Sequence, residues 1–200
     1  MAHQVICLSR QFGSGGREIG RRLAERLGIA FYDKELIELA AGRGNIKVSK
    51  LEGADERRGN PWLFESVYED GRTSHRGTSP SDTFYWLQSE VIRDRARKED
   101  CLLVGRCAAH VLARAGIPHR SIYICAPLEE RIRRVGMLEQ VDERTAAALV
   151  RKTDRARAAY YAYYTGGDWG APESYDLCVN SARGEMEAIV DLLAGYCQKT

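Results

Sequence analysis

Four short apolar runs punctuate the chain, at Val5–Leu8, Leu102–Val104, Ile122–Cys125 and Leu177–Val179, each bounded by polar or glycine residues. Runs that are apolar at every position read as strands covered on both faces, the state of a parallel sheet buried under helices. Ile29–Tyr32 adds a fifth, shorter strand. Between these runs the apolar positions change period. Ile19, Leu23 and Leu27 recur at helical spacing with Gly28 as a stop, and Phe84, Leu87 and Val91 repeat the pattern. Leu128, Ile132, Val135 and Leu138 make a third stripe after Pro127, and Met186, Ile189, Val190 and Leu193 make the last. Strands alternating with helices across long separations predict an α/β fold, a three-layer parallel sheet of about five strands flanked by helices.

Residues 42–82 break this rhythm. They are rich in Gly, Arg, Ser and Asp, with scattered apolar anchors at Leu51, Trp62, Leu63, Phe64 and Val67. Long segments of this kind in a small domain are surface excursions or covers over a site, and the anchors favour a small helical cap.

The most informative stretch lies between the first expected strand and the first expected helix, Ser9-Arg10-Gln11-Phe12-Gly13-Ser14-Gly15-Gly16-Arg17-Glu18. Glycines let consecutive backbone N–H groups face one concavity, and the following helix adds its unpaired donors and positive dipole end. Gly13, Ser14, Gly15, Gly16, Arg17 and Glu18 are therefore the expected phosphate-binding residues. The spelling G-x-x-x-x-G-K-[ST] is not met, because Gly16 and Arg17 stand where Lys and Ser or Thr would be. Arg17 either lies solvated on the first helical turn or reaches phosphate in the bidentate manner open to a guanidinium.

Other arginines fall where such a site would use them. Gly105-Arg106 follows the Leu102–Val104 strand, and ligands of open α/β sheets gather beyond the carboxyl ends of strands. Arg131 and Arg134 lie one helical turn apart, and Arg151-Lys152-Thr153-Asp154-Arg155-Ala156-Arg157 repeats the theme ahead of Tyr160, Tyr161, Tyr163 and Tyr164, which read as packing residues. Such a group suits phosphoryl transfer, in which a protein mainly positions and neutralises the moving group. Asp33 and Glu18 are candidates for Mg²⁺ ligation, or for orienting a second substrate, or for a helix cap and a first-turn dipole partner respectively.

Composition narrows the classes. The 200 residues allow one sizeable core, and 30 Lys and Arg against 28 Asp and Glu set up no global field for nucleic acid or a membrane surface. No apolar run reaches bilayer length and the N-terminus lacks signal-peptide sections, so a cytoplasmic protein is expected. Cys7, Cys125 and Cys178 fall within apolar runs, Cys101 abuts another and no C-x-x-C pair occurs, so the six cysteines read as reduced core residues. His3, His75, His110 and His119 share no motif with them, and no zinc site is expected.

The chain resembles the cytidylate kinase-like family of P-loop nucleoside monophosphate kinases. The resemblance rests on S-R-Q-F-G-S-G-G-R-E-I-G at Ser9 to Gly20, L-A-E-R-L-G at Leu23 to Gly28, F-Y-D-K-E at Phe31 to Glu35 and L-V-G-R-C-A at Leu103 to Ala108. It extends through L-E-E-R-I-R-R at Leu128 to Arg134, D-R-A-R-A-A-Y-Y at Asp154 to Tyr161 and Y-D-L-C-V-N-S at Tyr175 to Ser181. It implies a P-loop NTPase-type sheet in a single domain, with 42–82 as a monophosphate cap and about 131–167 as a lid. It implies an ATP-dependent phosphotransferase acting on a nucleotide-like or other small acceptor, with Mg²⁺ whose protein ligand is open. Gly13 to Arg17 would hold the donor phosphates, Asp33 and Arg106 would face the acceptor, and Arg17, Arg131, Arg155 and Arg157 would be the catalytic cations. The family pattern also has Asp where this chain has Cys107. A non-catalytic nucleotide-binding or sensing protein is the alternative that the missing lysine and hydroxyl leave open.

Overall fold

Val5–Arg10 forms β1 at the centre of the sheet, and its neighbours on either side come from distant parts of the chain. The computed structural model describes residues 3–44 and 80–198. In chain order they form β1, α1 (Gly16–Leu27), β2 (Ala30–Tyr32), α2 (Glu35–Gly44), α3 (Pro80–Lys98), β3 (Cys101–Val104) and α4 (Ala108–Arg114). There follow β4 (Arg120–Cys125), α5 (Leu128–Glu139), α6 (Glu143–Thr165), a short 3₁₀ turn at Pro172–Ser174, β5 (Leu177–Asn180) and α7 (Met186–Gln198). All five strands are parallel in the order β2-β3-β1-β4-β5. Val5 aligns with Cys101 and Leu8 with Val104 on one side of β1, while Ile6 to Arg10 align with Arg120 to Ile124 on the other.

Strand alternation sorts the core into two halves. Val5, Cys7, Cys101 and Leu103 face a cluster with Leu36, Ala40, Phe84, Ile92 and Leu112 of α2, α3 and α4. Ile6, Leu8, Leu102, Val104, Ile122 and Ile124 face Ile19, Leu23, Val190 and Leu193 of α1 and α7. Both faces are covered, which explains why the runs carry no polar alternation. Burying each Leu or Ile side chain contributes about 1.5–3 kcal/mol before chain entropy is counted. Gly28 ends α1 in the left-handed region at φ 67°, as its position after Leu27 predicts.

Two expectations need correction. Leu138 does not complete the stripe of α5; it is 70% exposed, while Arg131 and Val135 are buried. The helix reaches its end there, with Gln140 at φ 53°, and Leu138 lies on the wall of a cleft instead. Cys178 lies in the apolar run of β5 yet is exposed, because β5 is an edge strand. The basic segment before the tyrosines is one 23-residue helix, α6, started by Asp142, whose side chain accepts from Thr145 N at 2.7 Å. Most of the expected 42–82 insertion lies outside the described residues; residues 42–44 close α2 and 80–82 open α3.

Candidate functional site

The loop from β1 to α1 is held by its backbone and shaped by two glycines. Gly13 and Gly15 have φ of +81° and +77°, where other residues pay steric strain. A Cβ on Gly13 would fall 2.7 Å from the Arg131 carbonyl oxygen, so the loop presses against α5. Gln11 N–H donates to Ile124 O at 3.0 Å and the Gln11 Oε1 accepts from Ala126 N–H at 3.0 Å. Phe12 N–H donates to Asp154 Oδ1 at 2.8 Å, tying the loop to α6. Ser14 is buried; its hydroxyl donates to Gln11 O at 2.8 Å and accepts from Gly16 N–H at 3.3 Å, so it braces the loop. The first α1 ladder bond runs from Ile19 N–H to Gly15 O. The amides of Arg17 and Glu18 thus precede the ladder at the positive end of the helix, the arrangement that attracts phosphate.

Asp33, just beyond β2, gathers three arginines from three elements. Arg17 Nε donates to Asp33 Oδ2 at 2.6 Å, Arg106 Nη1 to Oδ1 at 2.5 Å, and Arg10 Nη2 stands 3.9 Å from Oδ1. Burial by itself would raise the Asp33 carboxyl, but the charges of Arg106 and Arg10, with hydrogen bonds from Arg106 and Arg17, overcome it and hold the group below the usual carboxylate range. The side chain therefore does not cap α2; only the Asp33 carbonyl joins that helix, accepting from Leu36 N–H at 3.3 Å. The cluster carries three guanidinium groups against one carboxylate, an excess of positive charge suited to an anion.

Arg106 is set by an unusual backbone. Gly105, Arg106 and Cys107 follow β3 with φ of 73°, 52° and 55°, three successive left-handed residues of which two carry side chains. Each such non-glycine residue costs on the order of 1–3 kcal/mol and persists where the surroundings over-determine it. Here Gly105 N–H donates to Leu8 O at 3.0 Å, and Arg106 Nη1 also donates to Val104 O at 2.7 Å. The result aims a buried guanidinium at Asp33 from the carboxyl edge of the sheet.

α5 and α6 supply further cations, with different fates. Arg131 is 7% exposed and stands behind the loop: Nε donates to Ala126 O at 3.0 Å, Nη1 to Phe12 O at 3.2 Å, and the guanidinium pairs with Asp154. It does not line the cleft with the other expected cations, and these partners take three of its five N–H donors. Arg134, one turn on, lies against Gly15, where a Cβ would fall 2.8 Å from its Nη1. Arg157 Nη1 donates to Arg10 O at 3.2 Å, and Arg155 lines the cleft beside it. Glu18 is also spoken for: hydrogen bonds from Arg21 and then Arg22 hold its carboxyl below the ordinary range.

One cleft of about 1330 Å³ joins these parts. Gly13, Gly15, Gly16, Arg17 and Glu18 share its wall with Asp33, Arg106, Arg155 and Arg157. Among the described residues eleven Lys and Arg line it against three carboxylates, so positive charge gathers where the loop opens. Arg10 was not among the cations that the sequence singled out for the site. Arg10 stands at a strand end directly before the loop, the same positional signal that picked out Arg106. Among the described residues no group of three His, Cys, Asp or Glu is placed to hold a metal, and the carboxylates of Asp33 and Glu18 are occupied by arginines. The described residues therefore do not fit a Mg²⁺ held directly by Asp33 or Glu18.

Residues 5–183 match the profile of the cytidylate kinase-like family. The chain belongs to that family. It is 33% identical over 188 residues to the cytidylate kinase of Methanothermobacter thermautotrophicus, covering 92% of this chain and 99% of that one. The cytidylate kinase of Ignicoccus hospitalis is 23% identical over 191 residues, covering 94% and 96% of the two chains. Among solved structures, an uncharacterized protein from Eubacterium ventriosum superposes with a TM-score of 0.72 at 26% identity, over 99% of this chain and 100% of that one. A shikimate kinase from Bacteroides thetaiotaomicron shares the fold at a TM-score of 0.56 and 15% identity, over 96% and 97% of the two chains. This cytidylate kinase-like chain thus has the family and fold of nucleotide kinase-type phosphotransferases. Among its described residues no helix is long and apolar enough to cross a membrane.

Proposed function

We propose that the protein is an ATP-dependent phosphotransferase whose acceptor is a nucleoside monophosphate or a similar small phosphorylated molecule. The observation that carries this reading is the single cleft that runs from the glycine loop to the Asp33, Arg17 and Arg106 cluster. The loop amides and α1 N-terminus suit the donor phosphates, and the arginine cluster suits the anionic end of the acceptor. Arg155 and Arg157, carried by α6, line the cleft, and on this reading they act as lid cations within the 131–167 segment. Arg131 positions the loop through the Phe12 carbonyl and Asp154. In the reaction, an acceptor oxygen bonds to the terminal phosphorus while the bond to the bridging oxygen breaks. The electron pair leaves on the nucleoside diphosphate, and any proton on the acceptor oxygen passes to solvent. Mg²⁺ enters as part of the nucleotide substrate.

The test is a panel of nucleoside monophosphates incubated with ATP or GTP and Mg²⁺, with diphosphate product as the readout. A second reading, a nucleotide-binding protein without turnover, is favoured by one observation: Gly16 and Arg17 replace the lysine and hydroxyl, and the nearby carboxylates are bound to arginines. ATP affinity indifferent to Mg²⁺, with no product from any acceptor, decides for it.

A further inference from the structure

Gly16 is glycine for a reason of space rather than of backbone conformation. It is the first residue of α1, and unlike Gly13 and Gly15 it is absent from the left-handed region. A Cβ there would fall 2.6 Å from Arg10 Cβ, 3.3 Å from Arg10 Cγ and 3.1 Å from Ile124 Cβ. The stem of Arg10, with Ile124 as the lesser obstacle, therefore fills the room that a side chain at position 16 needs. Position 16 is the one at which the usual phosphate loop carries its lysine.

Arg10 leaves the end of β1 beneath the loop and lines the same cleft, with its side chain 10% exposed and Nη2 3.9 Å from Asp33 Oδ1. It thus lies between the loop that faces the donor phosphates and the carboxylate that organises the acceptor end. Arg17, the other cation near the missing lysine, has a 60% exposed side chain and is drawn out onto Asp33 Oδ2. The two arginines differ in place as well as exposure.

Resting on the phosphotransferase reading above, we propose that Arg10 supplies the catalytic cation that the loop lysine provides elsewhere, and that Gly16 is the gap left to admit it. Arg10 contacts the oxygens that join donor and acceptor as the terminal phosphoryl group moves, and it stabilises charge on the leaving bridging oxygen. A guanidinium is well matched to this role, since it stays protonated at any working pH and can meet two oxygens at once, which an ammonium cannot do in the same fixed plane. A charge that acts mainly on the transition state shows in kcat rather than in KM.

The experiment is a transposition of the charge. The full-length R10G, G16K and R10G/G16K variants are compared with wild type in ATP turnover on the monophosphate panel and in ATP titration by calorimetry. Thermal unfolding of each variant reports its folding. R10G, rather than R10A, is needed because an alanine keeps the Cβ that blocks position 16. R10G is expected to lose about 10²–10³-fold in kcat, the usual cost of one transition-state donor, with a smaller change in KM for ATP. G16K alone is expected to be inactive or poorly folded, because two stems compete for one space. R10G/G16K is expected to regain at least tenfold over R10G, which a structural role for Arg10 would not produce.

A folded R10G with wild-type kcat, or a folded double variant no better than R10G, overturns the assignment while leaving the phosphotransferase reading intact. If wild type binds ATP without turnover, that reading falls and the catalytic assignment of Arg10 falls with it. A wild type that neither binds nor turns over ATP overturns both.

Discussion

The guanidinium of Arg106 lies 2.5 Å from the carboxylate of Asp33, and the two residues are 2% and 3% exposed. They come from the ends of neighbouring parallel strands, β2 and β3, and are 73 positions apart in the chain. A buried pair of this kind is costly to break, because removing one partner leaves the other as an uncompensated charge out of reach of water.

Asp33→Asn tests that cost. The variant keeps the shape but removes the charge that balances Arg106, Arg17 and Arg10, and a loss of about 3–5 kcal/mol in urea unfolding is expected. The pH dependence has a definite sign. Because the folded carboxyl titrates below its unfolded value, near pH 4, its contribution is full above that value and is lost as pH falls through the lower, folded one. Wild type should therefore lose stability more steeply than Asp33→Asn on acidification below about pH 4. Parallel acid titrations of the two would refute the claim that the arginines dominate burial at this site.

Gly13→Ala tests the loop. At φ +81° the substitution imposes about 1–2 kcal/mol of backbone strain, and its methyl group meets the backbone oxygen of Arg131 at 2.7 Å. A carbonyl cannot swing away as a flexible side-chain tip can, so the loop must shift. Nucleotide affinity should fall at least tenfold in calorimetry, while Gly28→Ala, with open space around its Cβ, should change stability alone.

The sheet and the glycine loop were legible because period and punctuation are local signals. The strand runs at Val5–Leu8 and Leu102–Val104 are apolar throughout since both faces are covered, and Gly28 marks the end of α1 by its backbone need alone. Side-chain direction was not legible. Arg131 and Arg134 are one turn apart on α5, yet one is consumed by Asp154 and the Phe12 carbonyl while the other reaches the loop. That split depends on where α6 packs, which no spacing within α5 encodes. Arg10 carried the strand-end signal that picked out Arg106, but its relation to the space at Gly16 links two positions that only the folded loop brings together.

Arg131→Ala and Arg134→Ala should therefore separate stability from binding. Of the Arg131 and Phe12 donors to Asp154, Arg131→Ala leaves only the Phe12 N–H, and it removes donors from the half-buried Ala126 and Phe12 carbonyls, so a loss of about 1–3 kcal/mol is expected in denaturant unfolding. Arg134 is half-buried against Gly15 and lines the cleft; its removal should leave stability within about 1 kcal/mol and weaken ATP binding more strongly at low salt than at high salt. Equal unfolding losses in the two variants would refute the division of labour.

Cysteine accessibility gives a test independent of any ligand. Thiol reagents attack the thiolate, so burial suppresses reaction both by blocking access and by raising the pKa. Burial pushes Cys7 well above the ordinary range and Cys101 up to about 12, and Cys107 and Cys197 are buried as well. Cys125 is half-buried, with its Sγ 3.5 Å from the Val179 carbonyl oxygen. Cys178 alone is exposed, on the edge strand β5. A chromogenic disulfide reagent should thus titrate one thiol rapidly in the folded protein, Cys125 more slowly, and all six only after denaturation. Cys178→Ser should remove the fast phase and leave the slow one. A fast phase that survives the substitution would mean that another cysteine is open to solvent, and a wild type with no fast phase would mean that the β5 edge at Cys178 is covered.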